Sequence, residues 1–430
     1  MSTSTAREWV FSLEAIGIKL GLSQITTLLA ALGHPERRFR SITVAGTNGK
    51  GSTTAMIERG LRATGLTTGR YTSPHLVHIE ERISINGRAI TAAQFDVYAA
   101  QVRTAAGHAL PHPPSFFEAT TAMALLAFAD ARVDTAVLEV GLGGRLDATN
   151  AVDASVAAIT PIDFDHQLYL GNTLQAIAGE KAGIIKPGAL VCVGPQPDEA
   201  RGVITAAAAA QGATVIWSHD TSTVASSVDA RGSDLTLTTP VRHYPTLRVG
   251  LAGRHQVDNA VLAVRVLESL PAAGWPEIPV HAMASALADV DWPARLEWRS
   301  TPDGDVLIDG AHNPAGARAL ASFVSESIGH PVPVLIGVMA DKAVDEVVAA
   351  LAPVAADWVV TTPASPRALS PAALAAVCRR HSTAPVHEAP DVRAAVIAAG
   401  QLPRGPVVVA GSLYLAGEVR AALTTGSRPA

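Results

Sequence analysis

Cysteine is nearly absent. Cys192 and Cys378 are the only two in 430 residues, and they lie far apart without metal-ligand spacing. That excludes a disulfide framework and a cysteine zinc site. There is no excess of positive charge either: 33 Lys and Arg stand against 38 Asp and Glu, a formal net charge of -5. No net field therefore draws the chain to nucleic acid or to an anionic lipid surface. No apolar run is long enough to cross a bilayer. Met1 to Trp9 show no basic-then-apolar signal pattern, so the expected address is cytoplasmic. Charged residues make up only 17% and apolar ones 48%, which describes a folded globular chain. The length exceeds one ordinary core, so two or three domains are expected. No solenoid repeat is present.

What is there is organised around Ile42 to Thr53, a β-branched run that ends in Gly46-Thr47-Asn48-Gly49-Lys50-Gly51-Ser52. Met56, Ile57 and Leu61 then recur at helical spacing. This reads as strand, phosphate loop and helix. The glycines let backbone N–H groups approach an anion, and the helix start adds its positive dipole end. Lys50 can reach terminal phosphates, and Ser52 or Thr53 can offer a hydroxyl to magnesium. The loop departs from G-x-x-x-x-G-K-[ST], because Val44 replaces the first glycine and Gly51 follows the lysine directly.

Helices are expected at Trp9 to Leu13 and at Ser23 to Leu32, with Ser23 as N-cap. Thr67 to Tyr71 reads as a strand running into Thr72-Ser73-Pro74-His75-Leu76. Glu81 to Arg88 reads as a small strand pair about Asn86-Gly87. Helices follow at Thr91 to Ala106 and Phe116 to Ala131, with His108 to Pro114 a loop between them. The pair His108 and His112 reads as solvated surface in that proline-rich loop rather than as a metal site. Strands at Thr135 to Val140, Ser155 to Thr160 and Leu190 to Val193 alternate with helices at Leu174 to Ile185 and Pro197 to Gln211. Val215 to Gly250 looks like an antiparallel addition, and Gly253 to Leu270 a helix. Alternation resumes at Val306, with a helix at Pro314 to Ser327 and strands near 332–338, 358–361 and 407–410. The fold class is therefore α/β: a mostly parallel-sheet, P-loop ATPase domain at 1–296, then a smaller Rossmann-like α/β domain at 297–430.

Ser73, Glu139 and His166 stand at the ends of strands that share one sheet edge with the phosphate loop, where a divalent ion fits. Histidine is an unusual magnesium ligand, and a structural histidine is the competing reading. Lys181 by itself reads as a solvated helix lysine. If buried, it has a lowered pKa and reacts as the free amine. Asp309 and His312 at the first strand end of the second domain, with Arg295 before it, are placed to meet a nucleotide across a cleft. An Asx-type turn and a surface arginine are the alternatives.

Together these motifs resemble the folylpolyglutamate synthase/dihydrofolate synthase family, within the wider Mur ligase type. The resemblance extends over nearly the whole chain, from Gly21 through 45–53, 71–76, 116–120, 138–150, 165–171, 180–188 and 255–260 to 309–314. The glycine-loop variant is this family's own form. The family usually has Pro-Gly-Arg where this chain has Pro293-Ala294-Arg295. The resemblance implies that Asn48, Gly49, Lys50, Gly51 and Ser52 hold ATP phosphates, with Asn259, Arg295, Asp309 and His312 touching ATP from the cleft. It implies magnesium on Ser73, Glu139 and His166, a carbamate on Lys181, and a monovalent cation such as K+ as a further candidate. Phe117, Asp147 and Ala148 would line the pterin site. Lys50, Lys181 and His166 would carry the catalysis. The implied reaction joins L-glutamate to dihydropteroate, to folate glutamates, or to both, through an acyl phosphate formed with ATP. The implied partners are small molecules only, and the implied state is a monomer. The alternatives are a Mur-type ligase acting on a UDP-muramyl precursor and a nucleotide-binding regulator without chemistry.

Overall fold

A computed structural model describes residues 5–403 and 405–425; the first four residues of the stretch read for a targeting signal lie outside them. The first sheet contains β1 (Arg40–Ala45), β2 (Thr68–Tyr71), β3 (Ile83–Ile85), β4 (Arg88–Ala89), β5 (Thr135–Glu139), β6 (Val156–Ile159), β7 (Leu190–Val193) and β8 (Thr214–Trp217). Their spatial order is β4-β3-β2-β5-β1-β6-β7-β8. Every pair from β2 to β8 is parallel, and β3 and β4 close one edge antiparallel. The central strands are near-continuous apolar runs because helices cover both faces. The functional consequence lies in the order β2-β5-β1-β6, which sets four loops side by side at one sheet edge.

The antiparallel addition is smaller than expected. It comprises β9 (Thr223–Asp229), β10 (Gly232–Thr238) and β11 (His243–Val249). Residues 214–217 instead form the last parallel strand of the first sheet, since four residues are too few to show a period. Ser23 is the first residue of its helix rather than its cap; Leu22 takes the cap position without a side-chain bond. The helix expected to stop at Ala106 runs from Ala92 to Ala109, so His108 is helical. The physical stop is Pro111, which pushes Leu110 to extended backbone. The helix expected to reach Ile185 ends at Ala182. A further helix at Val280–Ala288 has little polar contrast, which hid it from periodicity. It is buried against the helix Lys50–Ala63, where Gly60 leaves room for Ala286 and Leu267.

The second sheet holds β12 (Glu297–Thr301), β13 (Gly304–Ile308), β14 (Val332–Ile336), β15 (Ala355–Val360), β16 (Val386–Glu388) and β17 (Val407–Ala410). The order is β12-β13-β17-β14-β15-β16, parallel except for β12. Among the described residues no helix is long and apolar enough to cross a membrane. The two sheets lie in lobes joined by apolar packing, hydrogen bonds and ion pairs. Asn313 Nδ2 donates to Asn48 Oδ1 at 2.9 Å, Lys342 Nζ meets Asp165 Oδ1 at 2.6 Å, and Arg318 meets Asp163 at 3.1 Å. In the C-terminal helix, the α-carbon of Gly417 sits directly on the Leu76 carbonyl, leaving no space for a Cβ.

Candidate active site

The phosphate loop leaves β1 through Gly46 and Gly49, whose φ angles of 145° and 86° exclude ordinary side chains. A Cβ at Gly46 would collide with Thr160, and one at Gly49 with the Asn259 amide. The departure from the standard motif has a steric cause. A Cβ at Gly51 would lie 2.7 Å from the Trp292 indole, so the residue after the lysine must be bare. Gly51→Ser, which restores the common G-K-S pattern, is therefore expected to destabilise the protein by about 1–3 kcal/mol through overpacking. Urea unfolding measures this, and the loss shrinks when Trp292→Ala is introduced into the same chain.

Lys50 opens its helix and donates to the carbonyls of Gly46 (3.1 Å) and Thr47 (3.0 Å). Burial lowers its pKa, opposed by the nearby carboxylates of Glu139 and Asp165. Lys181 is buried, not solvated, and donates to the Gly46 carbonyl at 2.8 Å. Its helix is pinned beneath the 141–147 turn, where Gly183 makes room for Arg145 and the Arg145 N–H donates to the Glu180 carbonyl at 2.7 Å. Burial first, and the Lys50 charge second, bring the Lys181 pKa down to about 7.

Glu139 ends β5 and is buried, which raises its pKa; Lys50 pulls the other way. Its Oε2 accepts the Ser73 backbone N–H at 3.1 Å. His166 has a left-handed backbone (φ 52°), and burial lowers its pKa to about 4, leaving a neutral imidazole at pH 7. Among the described residues no group of three or more His, Cys, Asp or Glu is placed so that it could hold a metal ion by itself. The expected ion site is thus a carboxylate, a hydroxyl and a neutral imidazole around one cavity.

That cavity, about 410 Å3, is lined by 46–52, Ser73, Glu139, His166 and Lys181 from the first lobe and by Asp309, Gly310 and His312 from the second. Asn259 and Arg295 also line it. Asn259 is buried and donates to Gln256 at 2.9 Å, which aims its carbonyl oxygen at Gly49. Arg295 stands between Ala294 and Leu296, both left-handed (φ 56° and 50°), and donates to the Ala294 carbonyl at 2.8 Å. The Asp309 carboxylate accepts from the N–H groups of Leu296 (2.9 Å) and Ala311 (2.8 Å), so it holds the two cleft loops together. His312 Nδ1 lies 2.8 Å from the Gly310 carbonyl.

Phe117, Asp147 and Ala148 are not in the lining of this cavity; they sit behind its Gly141–Gly143 wall. The Phe117 ring presses on Gly141, where a Cβ would be 2.5 Å from Cζ, and lies tilted 5.8 Å from Tyr71. Asp147 is occupied locally, accepting from Leu142 N (2.8 Å) and from Thr149 N (3.0 Å). Burial raises its pKa.

Two residues escaped sequence reasoning. Asp165 meets Lys342, Asn313 Nδ2 (3.2 Å) and His312 Nε2 (3.6 Å). Burial would raise its pKa, but the neighbouring His312 imidazole and the Lys342 ammonium hold it well below the usual carboxylate range. Asp165 neighbours His166 at a strand end, which was a signal. Lys342, from a loop after β14, gave none.

Two family models match the chain: the Mur ligase middle domain over residues 44–267 and the Mur ligase, glutamate ligase domain over 294–413. The dihydrofolate synthase/folylpolyglutamate synthase of Mycobacterium tuberculosis is 38% identical over 93% of this chain and 89% of its own length. The M. tuberculosis folylpolyglutamate synthase complexed with ADP and AMPPCP superposes with a TM-score of 0.90, covering 99% of this chain and 100% of that one at 36% identity. E. coli FolC in complex with DHPP and ADP gives 0.87 at 29% identity, covering 98% of each chain. A bifunctional folylpolyglutamate synthase/dihydrofolate synthase with Mn, AMPPNP and L-glutamate bound gives 0.85 at 31% identity, covering 98% of each chain. These matches do not favour a UDP-muramyl acceptor. The chain belongs to the folylpolyglutamate synthase/dihydrofolate synthase family of Mur ligases, and is an ATP-dependent ligase that joins glutamate to folates.

Proposed function

We propose that this chain, as a monomer in the cytoplasm, uses both dihydropteroate and glutamylated folates as acceptors of L-glutamate, with its working division between residues 296 and 297. The observation that carries the reading is the gathering of Lys50, Ser73, Glu139, His166 and Lys181 around one cavity faced by Arg295, Asp309 and His312. Asn48 to Ser52 hold the ATP phosphates, and Asn259, Arg295, Asp309 and His312 approach the nucleotide from the cleft. The acceptor carboxylate attacks the γ-phosphate, forming an acyl phosphate and releasing ADP. The glutamate amine then attacks the acyl carbon, and the tetrahedral intermediate collapses to the amide and phosphate. Lys50 and the helix end beneath the loop stabilise the negative charge on the transferred phosphoryl group. The lobes close over the acyl phosphate and exclude water.

Ser73, Glu139 and neutral His166, which line this cavity, would hold a hard divalent ion. Bound there, magnesium supplies charge neutralisation on the phosphates. A carbamate on Lys181 would turn a buried cation into an anion beside that ion, and K+ is a candidate for a further cation site. The E. coli and Mn–AMPPNP–glutamate complexes support this reading for nucleotide, metal and amino acid.

Purified protein given ATP, magnesium, L-glutamate and either acceptor is expected to release ADP and phosphate with formation of the amide. Product from neither acceptor would overturn the reading, and product from one alone would overturn the dual activity. Phe117 supplies the aromatic face of the pterin site in this reading. Phe117→Ala is expected to raise the acceptor KM about tenfold with the ATP KM unchanged, as steady-state kinetics would read.

A further inference from the structure

Gln196 follows β7 and precedes the helix Asp198–Ala210, and no step of the reaction uses it. Its side-chain amide makes two hydrogen bonds to the chain just past β6. Oε1 accepts the Ile162 N–H at 3.0 Å, and Nε2 donates to the Thr160 carbonyl at 3.0 Å. Between those two partners stands Pro161. Proline has no N–H, so a neighbouring strand cannot keep pairing beside it. The β6–β7 ladder stops with the Gly194 N–H on the Ile159 carbonyl at 2.9 Å. Beyond that point the Gln196 amide takes the place of a strand. Pro195 and Pro197 restrict the backbone on either side of it.

The opposite side of the same segment carries the phosphate loop. The Thr160 N–H donates to the Ala45 carbonyl at 2.8 Å. The Pro161 carbonyl accepts the N–H groups of Thr47 (3.0 Å) and Asn48 (3.4 Å). Thr47 Oγ1 donates to the Asp163 carbonyl at 2.9 Å and accepts the Asp163 N–H at 3.1 Å. Residues 160–163 therefore have the phosphate loop on one side and the glutamine amide on the other. Thr160 and Ile162 are buried, so bulk solvent does not replace that amide when it is lost. Downstream the same segment runs into Asp165 and His166 on the cavity wall.

We propose that Gln196 is a positioning residue for the nucleotide. It holds 160–163 at the level where Thr47 and Asn48 aim the loop at the phosphates. Gln196 lies outside the cavity lining and touches no reactant. The proposal rests on the folate-ligase reading, in which residues 48–52 hold ATP.

The test compares two variants with the unaltered full chain. Gln196→Leu loses both hydrogen bonds; Gln196→Glu keeps the acceptor and loses the donor. The measurements are the dissociation constant of ATP with magnesium in the absence of acceptor, the KM of each substrate, and the thermal midpoint. Both variants are expected to weaken ATP about tenfold, in Kd and KM alike, with the KM for acceptor and for L-glutamate unchanged. Should Gln196→Leu fail to fold, Gln196→Glu carries the same comparison. A lowered midpoint with ATP binding unaltered would make Gln196 a purely structural residue and overturn the proposal. An equal rise in all three KM values would overturn it too. An unaltered chain that makes no amide with any pterin acceptor would sink the folate-ligase reading itself, which is a separate result.

Discussion

Lys50→Ala is expected to lower kcat/KM for ATP by roughly 1,000-fold, the scale of removing a principal charge stabiliser from a phosphoryl or acyl transfer site. The fold is expected to survive. Lys50 is a desolvated ammonium whose partners are two backbone carbonyls of its own loop, and burial already disfavours its charged form. Removing it takes away a buried cation and leaves no core cavity beyond the loop. The thermal midpoint should therefore stay level or rise while turnover collapses. A parallel loss of midpoint would show that Lys50 acts structurally. Retained turnover would return the protein to the class of nucleotide binders without chemistry.

Lys181 is expected to give the second large effect, with a pH signature. Lys181→Met should abolish amide formation to a similar degree, because a carbamate needs the amine. In the folded chain that amine titrates near 7, against 10.5 for the ordinary lysine. Below pH 7 both folded and unfolded chains hold the proton. Between pH 7 and 10.5 the unfolded chain binds it and the folded chain releases it, so stability rises with pH through that window. The thermal midpoint of the unaltered protein should climb from pH 7 to 9 relative to that of Lys181→Met. Activity should follow the free amine. Protein held free of CO2 near pH 6 should lose turnover and regain it when bicarbonate is added at pH 8. A midpoint difference independent of pH, with no response to bicarbonate, would remove the carbamate from the scheme.

Both effects concern residues whose environments differed in how legible they were. The phosphate loop could be read locally, because strand, glycines, lysine and helix are consecutive. The sharing of one edge by Ser73, Glu139 and His166 followed from parallel topology, and the order β2-β5-β1-β6 places their loops together. The burial of Lys181 could not be read, since it comes from the 141–147 turn clamping the helix from above. Lys342 was equally hidden, because its partner Asp165 lies 177 residues earlier in the other lobe. Gly51 looked like a defect in a motif until Trp292 was seen to occupy the missing side chain's place. Periodicity likewise had no purchase on a four-residue strand such as β8 or on the nearly all-apolar helix Val280–Ala288.

The contact of Gly417 with the Leu76 carbonyl has a consequence of its own. At this point the lobes come together only because a carbon atom is missing, beside the ion pair and hydrogen bonds that join them elsewhere. A single methyl group there would act as a doorstop, holding the jaws ajar while leaving the phosphate loop itself in place. Such a chain would bind its substrates and yet waste the activated intermediate to solvent.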